Sequence, residues 1–322
     1  MKLIQNIVIP TGNILIAETP HGKLEFLSIG DYGQSVNLNQ HKKVKHGPLL
    51  PLEEKWVITI STQYGCSMGC NFCDVPKVGP GRNATYLDMM GELEHALSLH
   101  PEVEYSKRLN VHFARMGEPT WNPDVLGVAY TLNDFISGFN VHPVVSTMMP
   151  RANKHLEAFL GLWMHIKNEV YGGNAGLQMS INSTNAQERR EMFNWNSMEL
   201  EEIANLARRL PAPKGRKITL NFAVAGYKID AQYLAALFNP DHFIVKLTPM
   251  HKTKSALANG IRTAGDYTDS YPYEQHEAEL KAAGFEVLVF IASEEEDLGL
   301  ITCGNAVLSG RLPEVPYTLI NL

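Results

Sequence analysis

Cysteine is scarce in this chain, with four residues among 322. That is too few for the disulfide framework of a small secreted scaffold and fits a reducing compartment. Long hydrophobic runs are missing as well: no stretch approaches the roughly 18 apolar residues of a membrane span. The opening Met1-Lys-Leu-Ile-Gln-Asn6 begins a short apolar run without a cleavable signal pattern. A cytoplasmic protein with no membrane partner is expected. Basic excess is also absent, with 28 Lys and Arg against 34 Asp and Glu and a net charge of −6, so the whole surface is not that of a typical nucleic-acid binder. Local basic clusters remain at His41–His46, Lys214–Lys217 and Lys246–Lys254. Solvated loops or helix ends are expected for them, with one RNA-contacting face as the alternative. Neither internal repeats nor low-complexity segments occur.

What remains is a globular composition, 44% hydrophobic and 19% charged, long enough for one large α/β domain with a small appendage. Short apolar runs broken by Pro10, Gly12, Pro20, Gly22 and Gly30 predict a β-rich appendage over residues 1–50. From residue 51 to 322, strand-like runs at 56–60, 111–114, 141–146, 177–181, 218–224, 243–247 and 287–291 alternate with helical stretches at 87–99, 123–135, 154–162, 197–210, 231–237 and 273–283. That alternation predicts βαβ units and an α/β fold of the partial (βα)6 barrel type, with its site at the C-terminal strand ends.

Three of the four cysteines form Cys66-Ser-Met-Gly-Cys70-Asn-Phe-Cys73 and the fourth is Cys303. Three clustered thiolates suit a [4Fe–4S] cluster with one iron left open for a ligand. A structural zinc ion is the alternative and needs a fourth ligand such as His112 or His142. After the second predicted strand comes Arg115-Met-Gly-Glu-Pro119, where Gly117 lets backbone approach a ligand and Glu118 can accept hydrogen bonds from an ammonium group. Ser146-Thr147 and Ser180-Ile-Asn182 end the next two strands. There they serve as ligand contacts or as helix caps.

The Cys-x3-Cys-x2-Cys spacing resembles the radical-SAM superfamily. Gln63-Tyr-Gly-Cys66, Arg82-Asn83, Met116-Gly-Glu-Pro119, Ser146-Thr147, Ser180–Asn185 with Arg189, and Cys303-Gly304 together resemble the RlmN/Cfr-type RNA adenosine methyl synthases over about residues 50 to 310. The resemblance implies a cluster on Cys66, Cys70 and Cys73, with S-adenosylmethionine (SAM) held by Gly117, Glu118, Ser146, Ser180 and Asn182. It further implies a methyl-carrying Cys303, an rRNA, tRNA or nucleotide substrate, a reducing partner such as flavodoxin or ferredoxin, and a monomer.

The chain also departs from that pattern. Thr59 stands seven residues before Cys66, where the family has a second cysteine that helps release the product, and a hydroxyl is far too weak a base to replace a thiolate. His251 replaces a SAM-contacting asparagine. Glu25 is matched, through a loose alignment, to an acidic proton-transfer residue. About 55 residues precede the cluster strand, against a larger helical domain in the RNA-modifying relatives. A hydrogen-abstracting radical-SAM enzyme acting on a nucleotide or small molecule, and a non-catalytic iron–sulfur or RNA-binding relative, therefore stay open beside the methyl synthase.

Overall fold

The structure, a computed structural model, describes residues 1–32, 47–262 and 270–322. The basic cluster at 41–46 lies outside the described residues. The chain opens with an antiparallel meander of β1 (Lys2–Ile9), β2 (Gly12–Thr19) and β3 (Gly22–Ile29), followed by β4 (Trp56–Ile60) and a small hairpin of β5 (Gln63–Gly65) and β6 (Pro80–Asn83). Helices and strands then alternate: α1 (Tyr86–Ser98), β7 (Leu109–Phe113), α2 (Asp124–Phe135), β8 (Val141–Thr147), α3 (Leu156–His165), β9 (Gly176–Ser180), α4 (Ala186–Met192) and α5 (Leu200–Ala207). There follow β10 (Ile218–Val224), α6 (Ala231–Leu237), β11 (Phe243–Pro249), α7 (Lys254–Ala258), α8 (Tyr273–Ala282), β12 (Glu286–Val289), α9 (Glu294–Leu298) and β13 (Thr318–Asn321).

Strands β4 and β7 to β12 pair in parallel, each beside the next in chain order. The expected α/β architecture is therefore present. The meander is hydrogen-bonded into the same sheet: Leu27 of β3 pairs antiparallel with Thr59 of β4, giving one eleven-stranded sheet from β12 through β4 to β13. The sheet curls strongly. Lys246 on β11 feels the charge of Lys55, which precedes β4 five strands away; a flat sheet would separate them by roughly 24 Å at about 4.8 Å per strand.

Curling divides the side chains into two sets. Along β10 and β11 every second residue is buried and the others are only partly so. The buried set, including Leu220, Phe222, Val245 and Leu247, packs with Leu93, Leu132, Phe159, Ile203, Leu234 and Leu280 of the outer helices into the main core. The partly accessible set, including Asn221 and Lys246, lines the concave face. A second cluster covers the meander, where Ile7, Ile14, Ile16 and Leu27 pack against Leu300, Ile301 and Val307. The C-terminal segment is thus laid across the concave side.

Helix starts are chemically marked: α1 has a Thr85/Asp88 capping box and α9 a Ser293/Glu296 box. The helix expected from Ser197 begins only at Leu200, because Ser197 Oγ donates to Met148 O and accepts from Arg189 Nη2. Among the described residues, no helix is long and apolar enough to cross a membrane.

Candidate active site

The cysteine segment leaves β5 through a tight glycine crossing. At Gly65, φ +80°, a Cβ would stand 2.1 Å from Gly79 O, and the Cys66 amide donates to that same carbonyl at 3.1 Å. The backbone N–H groups of Met68 and Gly117 lower the Cys66 pKa, and that of Val75 lowers the Cys73 pKa. Burial raises the Cys66 thiol to about 11, helped by Glu118 and Cys303. Burial also pushes Cys70 and Cys73 well up, and neighbouring sulfurs add to the shift. Three thiols that disfavour one another's ionisation, with backbone N–H groups beside two of them favouring the thiolate, suit a cationic centre, which relieves the repulsion.

The shell around them is apolar. Met68, Met148, Met192, Phe193, Met250 and Ile261 form a cluster against Cys66, Cys70 and Phe72, and Phe72 meets Phe193 edge-on at 5.6 Å. Among the described residues, no three His, Cys, Asp or Glu side chains gather around a single ion. In a cubane each thiolate takes a different iron, so wider spacing is expected. The zinc alternative finds no fourth ligand in either histidine: His112 sits mid-strand among Lys246, Arg216, Lys55 and Arg108, and His142 faces Asn174 O at 3.3 Å. The residues present fit the cluster.

Gly117 and Glu118 lie beside the cysteines for a reason visible in Gln63. Gly117 has φ +99°, and a Cβ there would meet Gln63 Cβ and Cγ at 2.6 Å. Gln63 Oε1 accepts from the Glu118 amide at 3.1 Å and the Ser67 hydroxyl at 3.2 Å. The Glu118 carboxylate accepts from Thr120 Oγ1 at 2.7 Å and Met148 N at 2.9 Å. Burial raises its pKa and these hydrogen bonds oppose the rise. The Thr120 amide also donates to Glu118 Oε1 at 3.2 Å, so much of the carboxylate's acceptor capacity is taken within the protein.

The other expected contacts are placed less uniformly. Ser146 Oγ accepts from Gln178 Nε2 at 3.3 Å on the concave face. Ser180 accepts through its carbonyl from Arg189. Asn182, in the left-handed region at φ +62°, accepts at Oδ1 from the Ala223 amide at 3.0 Å, tying the end of β9 to β10. His251 Nδ1 lies 3.3 Å from Asp297 Oδ1. That aspartate also accepts from Thr302 Oγ1 at 2.7 Å and Asn305 Nδ2 at 3.2 Å, so His251 borders the loop that carries Cys303.

Cys303 arrives from the far end of the chain. The Asp74 amide, next to Cys73, donates to Gly304 O at 2.8 Å, and a Cβ on Gly304 would stand 3.4 Å from Phe72 O and 3.6 Å from Cys73 Cα. The Asp74 carboxylate accepts from Lys254 N, Ser255 N and Ser255 Oγ; Thr253 Oγ1 donates to Phe72 O at 2.7 Å. The start of α7 thereby clamps the cysteine segment to the Cys303 loop. Cys303 itself is exposed, yet it sits in a hollow: its enclosure raises the thiol pKa, and Lys246 and Arg115 pull it down.

Glu25 holds the same loop from below. It is fully buried and paired with Arg115. Its carboxylate accepts from the amides of Val307 at 3.1 Å and Leu308 at 2.8 Å, while Arg115 Nη2 donates to Leu300 O at 2.9 Å. This geometry makes Glu25 an anchor of the loop rather than a group open to substrate. Thr59 pairs with His112 on the concave face, and His112 is held down to about 3 by burial and by its four cationic neighbours.

Sequence reading included Gln63 and Arg115 in its motifs without giving either a role, and passed over Asp74, which adjoins Cys73. Lys246, counted with a basic cluster expected to be solvated or RNA-facing, lies in β11, as the strand expected at 243–247 has it, and is partly buried on the concave face. Lys214 and Lys217 are engaged by Glu169 and Glu286.

No family model matches the chain. Curated proteins that it resembles are named dual-specificity RNA methyltransferase RlmN. The one from Desulfosudis oleivorans is 30% identical over 220 residues, 65% of this chain and 55% of the relative. The one from Sorangium cellulosum is 26% identical over 265 residues, 81% and 64% respectively, and that from Nautilia profundicola 27% identical over 184 residues, 57% and 49%. The chain thus spans between about half and two thirds of these relatives' length. A solved radical SAM methyltransferase from Sphaerobacter thermophilus superposes with a TM-score of 0.63 at 20% identity, covering 92% of this chain and 77% of that one, which shows the fold.

Proposed function

We propose that this chain, a radical-SAM relative of the RlmN-type proteins, is a methyl synthase that builds a carbon–carbon bond from a methyl group carried on Cys303. The observation that carries the reading is the Asp74–Gly304 hydrogen bond of 2.8 Å, which ties the loop of the lone cysteine to the cluster segment. Cys66, Cys70 and Cys73 would hold a [4Fe–4S] cluster, and Gly117, Glu118, Ser146, Ser180, Asn182 and His251 would border SAM. When bound, these groups would supply a methyl group and a hydrogen-abstracting 5′-deoxyadenosyl radical.

The chain's own residues prepare Cys303 for both tasks. Burial raises the Cys303 thiol, and Lys246 and Arg115 offset part of that rise toward the thiolate needed to accept a methyl group. The Glu25–Arg115 pair fixes one side of the loop and Asp74 with Asp297 the other, limiting how far the sulfur can stray. The Met and Phe shell excludes water from the cysteine side. An adenosine ring carbon in RNA is the leading target, in line with the relatives' names, with electrons from a donor such as flavodoxin or ferredoxin and turnover in a reducing, cytoplasmic compartment.

The test is peptide mass spectrometry over Cys303 after anaerobic cluster reconstitution with SAM and reductant. A methyl or methylene adduct on Cys303, absent from Cys303→Ala while SAM cleavage persists in that variant, is expected. Cleavage with an unmodified Cys303 would sink the carrier assignment. The second reading, hydrogen abstraction without methyl transfer, is favoured by Thr59, which leaves the concave face without a second thiol at that place. It gives 5′-deoxyadenosine alone, whereas a methyl synthase also gives S-adenosylhomocysteine.

A further inference from the structure

The concave face holds one cation that the mechanism uses only as a distant charge. Lys246 lies at an inward position of β11, and its Nζ stands 5.2 Å from the centroid of the Phe290 ring. Among the described residues it has no hydrogen-bond or ion-pair partner. In register with it on the neighbouring strand is Asn221, whose side-chain Oδ1 is buried and unpartnered. Buried polar atoms are nearly always satisfied, and a cation enclosed by protein calls for an anion. Two adjacent inward polar atoms, Lys246 Nζ and Asn221 Oδ1, without a hydrogen-bond or ion-pair partner among the described residues point to a ligand.

We propose that Lys246 and Asn221 anchor the substrate itself: Lys246 ion-pairs a phosphate or carboxylate group, Asn221 Oδ1 accepts from a hydroxyl or N–H on the same molecule, and the pair presents its reacting carbon to Cys303. The aromatic ring on one side of the ammonium leaves the opposite side for the anion and contributes a cation–π contact of its own. Lys246 remains mainly cationic at pH 7: burial, with Lys55 and Arg216, lowers it to about 8, and Cys303 and Asp31 oppose the drop. The substrate class that follows is an anionic molecule, or an anionic end of a larger one, small enough to enter the hollow. The inference rests on the reading of that hollow as the reaction chamber.

Alkylation of Cys303 tests it without knowledge of the substrate. Iodoacetate and iodoacetamide both form a carbon–sulfur bond with the thiolate as iodide leaves. Only iodoacetate carries an anion for Lys246, and the ratio of the two rates cancels the thiolate fraction. In anaerobically reconstituted holoenzyme, with rates read from the Cys303 peptide, the iodoacetate-to-iodoacetamide ratio should fall about tenfold or more in Lys246→Met. It should be retained in Lys246→Arg, which also controls for folding. Inorganic phosphate should slow labelling by iodoacetate in the wild type and leave Lys246→Met unaffected. An equal ratio in wild type and Lys246→Met overturns the anchor.

Protection by AMP, by a short adenosine-containing RNA, or by phosphate alone then identifies the source of the anion as a free nucleotide, a polymer or a smaller molecule. The two readings fail separately. A Cys303 that takes a methyl group but shows no anionic preference removes the anchor alone; the preference without methylation removes the carrier alone.

Discussion

Glu25 and Arg115 form the buried ion pair on which the placement of Cys303 depends, and breaking it should be costly in a characteristic way. The two side chains are 0% and 2% exposed. In Glu25→Gln the guanidinium keeps Leu300 O but loses its counter-charge, the Val307 and Leu308 amides both lose a charged acceptor, and one of them faces an NH2 that cannot accept. Removing one partner of such a pair costs about 3–5 kcal/mol, a large fraction of the roughly 5–15 kcal/mol that holds a domain folded. Arg115→Met should cost a similar amount, because it strands a carboxylate in the core. The double variant removes both charges, so its loss should fall short of the sum by about 2 kcal/mol or more. Urea unfolding of the four proteins, followed by fluorescence, measures the cycle. Single variants within about 0.5 kcal/mol of wild type, or strictly additive losses, would refute the claim that this pair fastens the C-terminal loop.

Two further outcomes follow from local geometry. Gly117→Ala drives a Cβ to 2.6 Å from Gln63 at φ +99°, so it should lower the midpoint of thermal unfolding by several degrees; a change under one degree would show that Gln63 yields freely. His112 gives a pH signature. Its folded-state pKa is near 3 against about 6.5 unfolded, so the unfolded chain binds the extra proton first. The folded protein should therefore lose up to about 4 kcal/mol as pH falls from 6.5 towards 3, and His112→Gln should flatten that part of the stability curve measured by urea titration.

The sequence by itself determined the elements and the local chemistry. Alternating strands and helices are legible because burial on one face imposes a period within each segment: the expected strand at 218–224 and helix at 231–237 coincide with β10 and α6. The three-cysteine motif is likewise contained within eight consecutive residues. Short-range signals failed where a distant partner intervened, as at Ser197, whose hydroxyl is taken by Met148 O, and they did not mark the short elements β5, β6, α4, α7, α9 and β13.

Tertiary structure decided which of these pieces meet. The pairing of Leu27 with Thr59, the seating of Gly304 on Cys73 and the burial of Glu25 against Arg115 join residues far apart in the chain. No periodicity encodes such contacts, because they depend on how a curled sheet closes its concave face. Lys246 shows the difference most directly. In the sequence it is the first lysine of a basic stretch; the register of β11 and the curl of the sheet turn it inward, where it has no carboxylate partner among the described residues.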